Sequence, residues 1–185
     1  SEYEHMMRRS NDYKGLSNGI LDRYAHPVLT TGHLPLTWQY DLDPERNPNL
    51  MLRQGVLSIA NAGAITVGDK IALMTRLQSF DGQFFFALAE SSTGVDRFRF
   101  RTYPTVIPIM TTVRTNIFNL RLTPHEDGWI YALYNLRQKD QNSAAATYHH
   151  AVARTKDLQK WESLPDLVFN APAQRLCLLH PALVD

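Results

Sequence analysis

Thr115-Asn116-Ile117-Phe118-Asn119-Leu120-Arg121-Leu122-Thr123, followed by His125-Glu126-Asp127-Gly128-Trp129, is the stretch whose reading decides the fold. Residues 117–123 read as a strand, 125–128 as a turn and 129–136 as the returning strand. Asp127-Gly128 is turn chemistry: aspartate bonds its own backbone, and glycine accepts a positive φ. Beyond a polar loop, residues 144–154 read as a third strand, 155–161 as a turn and 162–167 as a fourth strand.

The same order stands upstream. Residues 59–67 form an apolar run, Gly68-Asp69 a turn, and 70–77 a second run. Asp81-Gly82 turns into a third run over 83–90. Residues 98–103 alternate aromatic and basic side chains, as a half-buried strand does. Arg97, Arg99 and Arg101 then fit an outer strand with one wet face. A third copy begins over 176–185. Asn61, Asn119 and His180 sit near the start of each copy, about 60 residues apart.

Four strands per unit at that spacing predict β-propeller blades, with an all-β sandwich as the alternative from pattern alone. The expected fold class is all-β, with about two blades and the start of a third over residues 58–185. Residues 1–57 form an N-terminal lead-in. A short helix or ordered arm is expected before Gly15, then an irregular stretch with short extended pieces and no helix, rich in turn formers such as Asn18-Gly19, His26-Pro27 and Leu34-Pro35. Propellers close with roughly four to eight blades, so the expectation is part of a longer protein or a degraded copy.

Composition narrows the function classes. At 185 residues the chain can bury a sizeable core. A net charge of +1 supplies no field for nucleic acid or an anionic membrane, so neither is expected as a partner. The lone Cys177 lies between Leu176 and Leu178 and reads as a buried structural thiol in a reducing, cytoplasmic setting. His149-His150 is not a metal pair, because neighbours on a strand point to opposite faces. No metal or cofactor is expected.

An ordered set of phrases carries a resemblance. Asp22-Arg23-Tyr24 precedes Pro27-Val28-Leu29-Thr30 and Trp38-Gln39-Tyr40-Asp41-Leu42. Asn61-Ala62-Gly63-Ala64-Ile65 comes next, then Phe85-Phe86-Ala87-Leu88-Ala89-Glu90-Ser91 and Asp96-Arg97-Phe98-Arg99-Phe100. Arg121-Leu122-Thr123 with the following turn, Ala153-Arg154-Thr155-Lys156-Asp157-Leu158 with Trp161-Glu162, and Leu179-His180-Pro181 complete the set. Over residues 20–185 the chain resembles glycoside hydrolase family 130, the β-mannoside phosphorylases, and most closely the branch that acts on mannosylglucose.

The resemblance implies a five-bladed propeller with its site at the central axis, of which this chain would be the N-terminal half. It implies inverting phosphorolysis of β-1,4-mannosyl-glucose to α-mannose 1-phosphate and glucose, with inorganic phosphate as co-substrate. Partners would be a β-mannoside disaccharide or oligosaccharide and phosphate, with homo-oligomerisation left open. Arg76 and Arg137 match phosphate-binding arginines, whose planar forks suit phosphate oxygens; a solvated strand-end arginine is the other reading of each. Both follow the blade-start asparagines by about 15 to 18 residues, which would aim both inward. Asn61 matches a sugar-contacting asparagine, against the alternative of an amide that satisfies backbone. Phe118, Arg121 and His180 complete the expected sugar contacts, and Gly63 is expected to permit close approach of chain or ligand.

Asn119 is the departure that matters. The family carries an aspartic acid there as proton donor, and a carboxamide has no titrating proton near neutral pH. Gln78 stands where the family has glutamate, and Phe118 where the close branch has tyrosine. The expectation is an impaired or inactive phosphorylase-like chain. The alternatives are a non-catalytic glycan-binding or interaction module and a β-mannooligosaccharide phosphorylase.

Overall fold

The computed structural model describes residues 2–39, 45, 55–80, 82–108, 115–139 and 146–167. The lead-in contributes α1 (Glu2–Arg8), an antiparallel hairpin of β1 (Tyr13–Ser17) and β2 (Asp22–Tyr24), a 3-10 turn (Thr31–His33) and the short α2 (Leu36–Gln39). The stretch expected to be irregular, with short extended pieces and no helix, thus holds its extended pieces as a hairpin and adds a 3-10 turn and the short α2. Asn18 builds the hairpin loop: its Oδ1 accepts from the backbone N–H groups of Ile20 and Leu21, and Gly19 supplies φ 81°.

Two four-stranded antiparallel sheets follow, each a meander in chain order. The first contains β3 (Val56–Val67), β4 (Lys70–Ser79), β5 (Phe84–Ser91) and β6 (Arg99–Phe100). The second contains β7 (Thr115–Pro124), β8 (Ile130–Lys139), β9 (Ala146–Thr155) and β10 (Trp161–Leu167). The all-β expectation and the repeated strand order hold. The fourth strand of the first unit is shorter than residues 98–103: pairing covers Arg99–Phe100, and the chain then returns to the sheet through a single bridge from Thr105 to Phe86. The third copy, Cys177 and His180 lie outside the described residues.

Strand periodicity divides the apolar side chains between two cores. One face of the first sheet contributes Ile65, Ala72, Met74, Phe86 and Leu88 to a cluster shared with the second sheet. The second sheet meets them with Ile117, Leu120, Ala132, Tyr134 and Leu136. The Phe86 and Tyr134 rings cross this interface edge to face, with centroids 5.8 Å apart. The opposite face of the first sheet buries Leu77, Ala87, Ala89, Phe98 and Phe100 against Leu34 of the lead-in, with Trp38 and Phe85 packed at the margin.

The lead-in is therefore fastened to the sheet. Trp38 Nε1 donates to the Thr102 carbonyl at 3.0 Å. Asn11 Nδ2 donates to the Val95 and His26 carbonyls, each at 2.8 Å, and its backbone N–H donates to Asp96. These bonds replace the water that each buried polar group gives up.

Candidate functional site

Each sheet has a bulge midway along its first strand, and β3 has a second irregularity near its start, between Val56 and Ser58. In β3, Ala60 faces Arg76 and Ala62 faces Thr75, leaving Asn61 unpaired. In β7, Phe118 faces Asn135 and Arg121 faces Leu133, with the irregularity at Asn119 and Leu120. Both asparagines have left-handed backbones, φ 37° for Asn61 and 56° for Asn119. Asparagine enters this region more readily than most residues.

The two bulges meet. Asn61 Nδ2 donates to Asn119 Oδ1 at 3.3 Å, joining the first strands of successive sheets. Gly63 makes the approach possible. A Cβ there would lie 2.9 Å from both the Cδ2 and the carbonyl oxygen of Leu120. The expected close approach is thus to chain.

Arg76 stands on the neighbouring strand opposite Ala60, one residue from the Asn61 bulge. Its guanidinium lies 3.7 Å from the centre of the Phe84 ring. Burial pushes its pKa below the usual arginine value. Its Nε is buried without a hydrogen-bond partner, and among the described residues no carboxylate pairs with it. A half-buried cation in this condition is suited to receive an anion.

Arg137 does not occupy the equivalent place. The residue opposite the one before the second bulge is Asn135; Arg137 faces Asn116, as Gln78 neighbours Ser58 in the first sheet. Counting along the chain misleads here. The second hairpin has the longer loop, residues 125–129 against 68–69, but its strands run one residue less from bulge to loop. Alternation also separates the arginines. Arg76 shares its face of β4 with Met74, which packs between the sheets, whereas Arg137 lies opposite Leu136 and Tyr134 and is exposed. The arginines lie on like faces of successive sheets, not on one shared surface.

The other expected residues scatter around the second bulge. Phe118 packs edge to face on Tyr148 at 6.0 Å. Arg121 is half-buried and donates through Nη1 to the Leu120 carbonyl at 2.9 Å. His149 and His150 diverge as alternation requires: His149 Nδ1 comes 3.8 Å from Asp166, and His150 is buried. Sequence reasoning missed the partner of His150. Asn135 Nδ2 and His150 Nδ1 are 2.7 Å apart in the row that begins at Phe118. An Asn and a His fifteen residues apart reveal no pairing until the β8–β9 register is known.

No protein-family model matches the chain. Along 99% of its length it is 43% identical to 4-O-beta-D-mannosyl-D-glucose phosphorylase of Bacteroides fragilis. The chain resembles the β-mannoside phosphorylases of glycoside hydrolase family 130. It spans about half the length, 48%, of that relative. Among solved structures, a thermostable family-43 glycoside hydrolase matches 60% of the chain and 36% of its own, at TM-score 0.47 and 15% identity. A beta-1,2-mannobiose phosphorylase from Listeria innocua matches 57% of the chain and 44% of its own, at TM-score 0.42 and 14% identity. Among the described residues no helix is long and apolar enough to cross a membrane.

Proposed function

We propose that this chain forms part of a phosphorylase-type site for β-mannosides, in which the proton-donor position carries an amide. The observation behind this reading is the hydrogen bond from Asn61 to Asn119 across the bulges of successive sheets, with Arg76 beside it. In this reading the sheets are blades of a propeller, and the site takes inorganic phosphate and a β-1,4-mannosyl-glucose. The products are α-mannose 1-phosphate and glucose.

An inverting displacement needs a nucleophile held on one face of the sugar and a proton delivered to the leaving oxygen on the other. Arg76 is suited to hold phosphate, being half-buried and, among the described residues, without a carboxylate partner. Arg137 would serve the same phosphate only if a further element completed the site on its face of β8. Asn119 can hydrogen-bond the leaving oxygen or a sugar hydroxyl but cannot protonate either at neutral pH. Loss of a general acid typically lowers the rate by about 10²- to 10⁴-fold.

The test compares this chain with one extended by the remaining half of the Bacteroides fragilis relative, each with and without Asn119→Asp. Release of mannose 1-phosphate from mannosylglucose and phosphate is measured. Activity restored by N119D in the extended chain supports the reading. Efficient phosphate-dependent turnover by the unaltered 185-residue chain overturns it. The amide also favours a second reading, a glycan-binding module that keeps the sugar contacts. Saturable mannoside binding, with no turnover even after N119D in the extended chain, would favour it.

A further inference from the structure

We propose that Asn61 is the positioning residue for side chain 119, holding it at the junction of the two sheets. This rests on the reading above that position 119 addresses the leaving oxygen. Its first support is the coincidence of two left-handed asparagines in the first-strand bulges of successive sheets. Such backbones are strained for a non-glycine residue and persist where the surroundings impose them. The second support is the direct bond from Asn61 Nδ2 to Asn119 Oδ1 at 3.3 Å. A bulge breaks the alternation of a strand and re-aims one side chain, and here two re-aimed side chains meet.

The bond is independent of which acceptor stands at 119. An aspartate oxygen would take the place of the amide oxygen, and Asn61 would donate to it. A hydrogen bond donated to a carboxylate favours its charged form. Among the described residues, few charged or titratable groups stand on the strands packed against β7. β3 has no titratable residue. Arg121 lies on β7 itself, Arg76 on β4, and Tyr134 and Arg137 on β8; Glu90 of β5 is paired with Arg101. Asn61 bonds position 119 directly, so its removal should be read at 119.

Three variants of the 185-residue chain test this: N119D, N119D/N61G and N119D/N61D. Glycine removes the amide while accepting the φ of 37° that alanine would resist. The carboxyl of residue 119 is titrated by carbon NMR with labelled aspartate, and the amide spectrum reports the fold. The midpoint in N119D/N61G should rise above that of N119D by about half to one pH unit. In N119D/N61D it should rise as well, because a like charge replaces the donor. Coincident midpoints in N119D and N119D/N61G, with the amide spectrum retained, overturn the proposal. Should the glycine variant lose its folded spectrum, an unraised midpoint in N119D/N61D overturns it equally. The titration needs neither sugar nor phosphate. A coupled midpoint without turnover in the extended chain keeps the positioning role and removes the functional reading.

Discussion

Gly63→Ala tests the contact that brings the two bulges together. The added methyl would sit 2.9 Å from the Leu120 Cδ2 and 2.9 Å from the Leu120 carbonyl oxygen, with Arg121 Cα at 3.4 Å. The leucine methyl can turn aside. The carbonyl cannot, because it belongs to the backbone of β7, whose next residue pairs with Leu133 of β8. Either β3 or β7 must move. Overpacking of this kind costs about 1 to 3 kcal/mol. Gly63 has no positive φ, so alanine would otherwise stabilise by roughly 0.4 to 1 kcal/mol through the unfolded chain. The expected net effect is a loss of about 1 to 2 kcal/mol, read from the urea midpoint at unchanged slope. Adding Leu120→Ala should recover little of it, because the carbonyl contact remains. A G63A variant as stable as the parent, or more stable, would refute the close approach and the bulge contact that depends on it.

Leu120→Ala alone should cost about 2 to 5 kcal/mol in denaturant unfolding, because the side chain is fully buried between the sheets. Asn11→Ala should cost about 1 to 3 kcal/mol and speed hydrogen exchange in the lead-in, since it strands the Val95 and His26 carbonyls and the His26 N–H. The Tyr134 phenol is pushed up to about 12 by burial, with Asp166 adding to the rise. Its folded value lies above the unfolded one, so its contribution is complete below about pH 10 and is lost as pH rises toward 12. Phenolate absorbance should show a late-ionising component that Tyr134→Phe removes, and that variant should flatten the loss of stability across the window.

The sequence by itself determined the local elements of this protein. Gly68-Asp69 and Asp127-Gly128 mark hairpin loops because positive φ and side-chain bonds to neighbouring backbone are properties of a few adjacent residues. The runs over 70–77 and 129–136 marked strands for the same reason, but which of their side chains face which core was decided by the sheets. Asn61 and Asn119 could be singled out from the recurrence of similar phrases. What the sequence could not show was their hydrogen bond, because a bulge exists only relative to a partner strand. The same limit explains Arg137. Its distance from Asn119 along the chain, 18 residues, looked equivalent to the 15 that separate Arg76 from Asn61, but the longer loop and shorter strands put the equivalent place at Asn135, 16 residues from Asn119 and two before Arg137. Asn135 and His150 became partners through the β8–β9 register, and the room at Gly63 is set by the Leu120 carbonyl of another sheet. Each of these depends on pairing and packing between segments remote in sequence, and the free energy that selects such pairings belongs to the assembled sheets.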